Sequence, residues 1–372
     1  MTISDAALLA LEHQLLWAAL VLGLAFGAIA QRSHFCTMGA IADVVNVGDW
    51  SRLRMWTLAM GVAMIGFNTM VALGWLKAAD SLYAGPLLRW LSLAVGGALF
   101  GFGMVLASGC GSKTLVRIGG GNLKSLVVFL VLALSALAAM RGAPALLRVA
   151  TVDQLQWTLT AGQDLPSLAA GLGGTPAQRA GLLGGLIGGA LVVWSLARRE
   201  GRSADVLLGG LGIGGLVVAL WWVSGVMGHL VEHPKTLEEA FLVTNSQRME
   251  SFSFVAPLAY VLDGLMFASD TSRRVTQGMV LVLGVVLGSA AVALAGRSFR
   301  WEGFRGVEDT ANHLVGAALM GLGGITALGC TIGQGLSGLS TLSLGSFIAV
   351  AGIVVGAWSA LRWQIWRIER GA

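Results

Sequence analysis

The chain has little charge. Acidic and basic residues together make up only 12% of its 372 residues, against 56% hydrophobic, and the mean hydropathy is +0.78. A soluble domain carries roughly twice that charge, so a water-soluble globular fold is excluded and a polytopic membrane protein is required. Cysteine is scarce too. Three cysteines, an odd number, do not make a disulfide framework. The net charge of +5 arises from Lys and Arg dispersed in short loops, which excludes nucleic acid as a partner and leaves an attraction for anions open. Residues 1–13 hold Asp5 and Glu12 but no Lys or Arg, unlike a cleaved signal peptide. An ATPase motif is also missing. Gly109-Cys110-Gly111-Ser112-Lys113-Thr114 looks like a phosphate loop, but Ser112 separates glycine from lysine and the leading glycine is absent, so a nucleotide site is excluded.

What the chain does have is glycine, 54 residues of it, which suits close helix packing and broken helices. Apolar runs of spanning length occupy about 14–31, 55–76, 91–108, 124–140, 180–197, 206–228, 276–296, 312–329 and 343–363. Two weaker stretches, 33–48 and 251–269, read as re-entrant or half-membrane segments, the second long enough to be a full span. With the N-terminus outside, the inner loops hold 15 of the 24 Lys and Arg and the outer loops 9, which favours N-out and C-in.

The chain carries an internal echo. Residues 95–110, VGGALFGFGMVLASGC, and residues 315–330, VGAALMGLGGITALGC, align without a gap and share nine of sixteen positions, the last a cysteine. Nine spans divide as four, one and four, and an odd span between equal halves inverts the second. The expected organisation is a first repeat over 1–140, a loop with the connecting fifth span over 141–205, and an inverted second repeat over 206–372. The fold class is an all-α polytopic membrane protein, hourglass-like, with re-entrant half-helices. Cys36 and Cys110 stand 74 residues apart, Ser253 and Cys330 77 apart, so Ser253 takes the place of a fourth cysteine. The connection 141–179 is an exposed loop with short helices, either a lid or a passive linker.

Cys36, Cys110 and Cys330 all lie at helix breaks. Buried cysteine is often just a small hydrophobe. Non-helical backbone at membrane depth, however, survives only inside protein or beside a cavity, and transporters build their sites there. A thiol offers a weak S–H donor and a soft sulfur, which suit a sulfur-containing anion. The flanking Gly109, Gly111 and Gly329 bring backbone N–H groups and a positive helix end without a fixed cation. Gln334 either hydrogen-bonds an oxyanion or satisfies backbone freed at the break. Lys113 and Arg117 line an inner vestibule or anchor to headgroups. Asp43 and Asp263 follow two of the breaks, either as proton-handling groups or as interface residues. His34, His229 and His233 lack metal-ligand spacing.

Three segments carry a family resemblance: Gln31-Arg-Ser-His-Phe-Cys36-Thr-Met-Gly39-Ala, Ala107-Ser-Gly-Cys110-Gly, and Leu328-Gly-Cys330-Thr-Ile-Gly-Gln-Gly335-Leu. In this order they resemble the YeeE/YedE family of sulfur-transport membrane proteins, over nearly the whole chain. The resemblance implies a plasma-membrane transporter with inverted repeats, no enzymatic activity and no cofactor. It also implies thiosulfate handed along Cys36, Cys110 and Cys330 by transient S–H hydrogen bonds, and a small cytoplasmic TusA-type sulfur carrier as partner; no such domain is fused here. The Gly-Cys110-Gly context and the long 141–179 connection depart from the pattern. A covalent persulfide relay or a selenium-containing anion therefore stays open as an alternative.

Overall fold

The computed structural model describes residues 4–270 and 274–371. Among them the chain is helical nearly throughout. In order come α1 (Asp5–Ser33), α2 (Thr37–Asn46), α3 (Ser51–Ala72), α4 (Trp90–Leu106), α5 (Gly111–Gly119), α6 (Leu123–Arg141), α7 (Ala143–Ala150), α8 (Leu165–Leu168), α9 (Pro176–Leu196), α10 (Ala204–Trp222), α11 (Val255–Met266), α12 (Gln277–Ala295), α13 (Val307–Thr326) and α14 (Leu344–Gly371), with a π-helical turn at Gly333–Gly338 between the last two. Strands among the described residues are limited to two antiparallel pairs of two residues each, 87–88 with 157–158 and 229–230 with 240–241.

Every expected span has its helix, and eight segments are long and apolar enough to cross a bilayer among the described residues. The ninth, α13, misses that measure because its first two turns carry Glu308, Asp309 and His313. Acidic groups there favour the helix N-terminus, and Asp309 pairs with Lys124 at 2.9 Å. The two weaker stretches become the short α2 and α11. Twelve residues of α11 rise about 18 Å, too little to cross a hydrocarbon core of roughly 30 Å.

Packing partners occur in exchanged pairs. Helix α1 lies on α12 and α10 on α3; α4 lies on α14 and α13 on α6; α4 and α13 cross one another. At that crossing the glycines of the sequence echo meet head to tail. A Cβ on Gly96 would sit 2.8 Å from the Gly323 carbonyl and one on Gly323 2.6 Å from the Gly96 carbonyl; Gly103 and Gly316 are each 2.6 Å from the other's carbonyl in the same sense. No side chain fits there, which is why four glycines stand at two aligned positions. Helix α9 packs against α3, outside this exchange.

The connections fall on two faces. One gathers 73–89, 141–175, 228–254 and 341–344: Ser81 bridges to Met249, and Asp164 to Ser343. The start of α1 belongs to it, through Asp5–Lys235 at 3.6 Å. The opposite face holds 119–123 and 296–306, joined by Asn122 and Glu302, and the end of α14, where Arg367 pairs with Glu308. The 141–175 segment is largely exposed but is tied down at 163–165. Gln163 and Asp164 are buried, and the Leu165 N–H donates to the Leu342 carbonyl at 3.0 Å.

Candidate functional site

One backbone device is built three times. A long helix ends on a left-handed residue, and none of the three is glycine: His34 (φ 55°), Ser108 (φ 55°) and Leu328 (φ 56°). The next N–H reaches back five residues to close the helix: Phe35 to the Ala30 carbonyl at 3.2 Å, Gly109 to Met104 at 2.8 Å, Gly329 to Gly324 at 2.8 Å. This is a Schellman closure. The cysteine follows, and its carbonyl accepts the first hydrogen bond of a new helical segment, from Ala40 at 3.0 Å, Thr114 at 2.9 Å and Gln334 at 2.7 Å. Cys36 and Cys110 are thus the N-caps of α2 and α5, and Cys330 opens the turn that leads into the π-helical segment capped by Ile332, so each sulfur faces unsatisfied N–H groups.

The sulfurs use that position. The Gly39 N–H donates to Cys36 Sγ at 3.3 Å and the Gly333 N–H to Cys330 Sγ at 3.4 Å. Cys110 Sγ instead lies 3.2 Å from the Ser112 hydroxyl. Around Cys330 the N–H groups of Phe254 and Ile332 also face the sulfur. Phe254 is the N-cap of α11, so two half-helices aim their positive ends at one thiol. The start of α5 abuts the same place, since a Cβ on Gly111 would lie 3.7 Å from the Phe254 Cβ.

Cys110 lies within electrostatic range of both Cys36 and Cys330. Cys110 and Cys330 are buried, at 1% and 0% exposure, while Cys36 is partly open. The two ends differ in chemistry. Beside Cys36 stand Lys113, Arg117 and, through its reach to His34 and Lys113, Arg52. Beside Cys330 lies a cavity of about 340 Å³. Ser253 and Gly329 form part of its floor, and Tyr83, Arg89, Arg141, Arg148 and Glu250 stand in its walls. Ser253 is the hydrogen-bond partner of the Tyr83 phenol. Phe26 stacks on Phe252 with centroids 4.9 Å apart and packs on Phe254 at 5.3 Å, an aromatic cluster that reaches the Cys330 site through Phe254.

The sequence-predicted residues come together with distinct duties. Cys36, Cys110, Cys330, Gly111, Gly329 and Ser253 share this region. A Cβ on Gly109 would lie 3.1 Å from the Lys113 stem. Gln334 spends its side-chain N–H on the freed Ala327 carbonyl at 2.6 Å, the backbone-satisfying role. Asp43 pairs with Arg52 at 3.3 Å and Asp263 with Arg141 at 3.5 Å. Lys113 and Arg117 lie by the Cys36 end. The His and acidic residues form no group able to hold a metal among the described residues. Sequence reasoning missed Tyr83, Arg89 and Glu250. All three lie in connections far from any cysteine in sequence, and an isolated acid or aromatic in a loop carries no spacing signal.

Comparison with known proteins places this geometry in context. A family model described as sulphur transport matches residues 32–359. The thiosulfate transporter TsuA of Escherichia coli is 27% identical over 346 residues, covering 92% of each chain. The thiosulfate transporter TsuA of Spirochaeta thermophila is 26% identical over 363 residues, covering 95% of this chain and all of its own. A probable transporter of Escherichia coli, YedE, is 32% identical over a 112-residue stretch, 30% of this chain.

Proposed function

This chain belongs to the sulphur transport family, and from that premise we propose that it takes up thiosulfate across the bacterial inner membrane along Cys330, Cys110 and Cys36. The observation that carries the reading is the repeated break: three cysteines, each directly after a Schellman-closed helix, with Cys110 within electrostatic range of the other two. Thiosulfate enters the 340 Å³ cavity, where Arg89, the wall arginine with no ion pair among the described residues, draws it in. Its terminal sulfur accepts an S–H hydrogen bond from Cys330, then from Cys110, then from Cys36, and the backbone N–H groups of the half-helices offset its charge. No step requires a covalent bond. Weak donors in series suit conduction, because a tight site would hold the ion. Beyond Cys36 the basic Lys113, Arg117 and Arg52 receive it.

Two inverted repeats, 1–140 and 206–372, frame this path. The exchanged packing pairs and the reciprocal glycine contacts support that division. The cavity face is then extracellular, with the N-terminus, and the Cys36 face cytoplasmic, with the C-terminus. A TusA-type carrier would accept sulfur at the Cys36 face.

The test is uptake of radiolabelled thiosulfate into vesicles holding only this protein, with sulfite, sulfate and selenite as competitors. Thiosulfate accumulates, and Cys110→Ala and Cys330→Ala abolish it while the proteins stay folded. Full uptake by both variants refutes the reading. Persulfide on a cysteine during turnover replaces it with a covalent relay, and selenite outcompeting thiosulfate replaces the ion.

A further inference from the structure

Glu250 stands in the wall of the anion cavity, three residues before Ser253. It is rigidly held. Its N–H donates to Ser224 Oγ at 2.9 Å, its carbonyl accepts Gln277 Nε2 at 3.4 Å, and its Oε1 accepts the Ser246 N–H at 2.9 Å. No basic side chain pairs with it among the described residues.

The cations nearby are otherwise engaged. On α6, Arg141 pairs with Asp263 of α11 at 3.5 Å; on α7, Arg148 pairs with Asp153 at 2.6 Å. Arg248 is turned to the Ala79 and Ser81 carbonyls, at 3.4 and 3.5 Å. Arg89 shares the cavity wall without bonding Glu250. The titratable groups within range of Glu250 are the phenols of Tyr83 and Tyr260. Asp80 lies on the neighbouring turn, whose carbonyl accepts the Met249 N–H at 3.1 Å.

An ionised Glu250, held by hydrogen bonds from Ser246 and Asn245 but by no ion pair among the described residues, would place a negative charge in the chamber a dianion must enter. A neutral acid there does the opposite, since its O–H is a hydrogen-bond donor. We propose that Glu250 receives the anion as a neutral carboxylic acid, donating its O–H to an oxyanion of the ligand, so that anion and proton bind the outer cavity together. The inference rests on the cavity being the anion's entrance, and adds to it a binding residue and a pH dependence. Burial acts in the same direction, pushing the Glu250 carboxyl above the usual carboxylate range. Because the proton is needed in the bound state, affinity falls as pH rises through the Glu250 pKa. The limiting slope is about tenfold in apparent KM per pH unit.

The experiment is initial-rate thiosulfate uptake into vesicles against external pH at fixed internal pH, for the wild-type chain and for Glu250→Gln. The amide keeps a donor and cannot ionise. Wild-type KM rises with external pH, by about tenfold over the last unit of the titration, and the E250Q profile is flat with uptake retained at high pH. A pH-independent wild-type KM overturns the proposal without use of any variant. So does an E250Q profile that keeps the wild-type slope, or an E250Q protein that melts like wild type yet takes up nothing at any pH. If the wild-type protein takes up no thiosulfate at any pH, it is the entrance itself that fails.

Discussion

The crossing of α4 and α13 sets where two of the thiols sit, and Gly103 is the place to perturb it. A Cβ added there would lie 2.6 Å from the Gly316 carbonyl oxygen and 2.9 Å from the Met320 nitrogen, both backbone atoms that cannot rotate away. Restoring an ordinary contact needs the helices to separate by about 0.8 Å. Overpacking of this kind costs about 1–3 kcal/mol. The displacement is passed straight down both helices, because Cys110 follows Gly103 by seven residues and Cys330 follows Gly323 by seven. Gly103→Ala should therefore lower the melting temperature in detergent by several degrees and cut thiosulfate uptake by more than its loss of folded protein explains. Gly185→Ala is the matched control: it lies on α9, and an added Cβ there meets nothing within 4 Å. Helix propensity alone makes that change neutral or favourable by up to about 1 kcal/mol. Tryptophan fluorescence melts and vesicle uptake read both effects. If Gly103→Ala matches Gly185→Ala in both assays, the reasoning about the crossing is wrong.

Other perturbations are as direct. Ser108→Gly removes the cost of a left-handed non-glycine residue and should leave the closure intact, raising stability by up to about 1 kcal/mol in a thermal melt. Arg89→Gln, which removes a cavity cation with no ion pair among the described residues, should raise KM several-fold at low ionic strength and much less at high salt, with the maximal rate kept. Lys124→Met removes the cation shared by Asp309 at the start of α13 and Glu302 in the preceding connection, both of which keep other partners, and should destabilise by about 1 kcal/mol or less, seen as a slightly lower melting temperature.

The sequence made much of this legible, for identifiable reasons. Length and apolarity mark a spanning helix wherever lipid is its solvent, so eight spans could be read from hydrophobic runs, and the ninth, α13, from the half of it that is apolar. The paired glycines of 95–110 and 315–330 were visible because close backbone approach permits no other residue. Cysteines at glycine-flanked breaks pointed to the site. What the sequence hid was local. The left-handed turns fall on His34, Ser108 and Leu328, and of these only histidine is a type enriched at positive φ. Gln334 was ambiguous because an amide serves backbone or ligand equally well until its neighbour, the Ala327 carbonyl, is placed. Glu250 reaches the cavity only through the folding of a long connection.

The thiol path is tested most directly by peptide-resolved mass spectrometry of cysteine labelling, with a small membrane-impermeant thiol reagent added to either side of sealed vesicles. The account predicts that Cys36, which is partly open, reacts from the face opposite the cavity, and that Cys330, fully buried at rest, reacts only from the cavity face and far more slowly. Thiosulfate, but not sulfate, should slow both, with half-protection near the KM for uptake. Labelling of Cys330 and Cys36 from the same side, or labelling that thiosulfate leaves unchanged, would contradict a single path running through the three sulfurs.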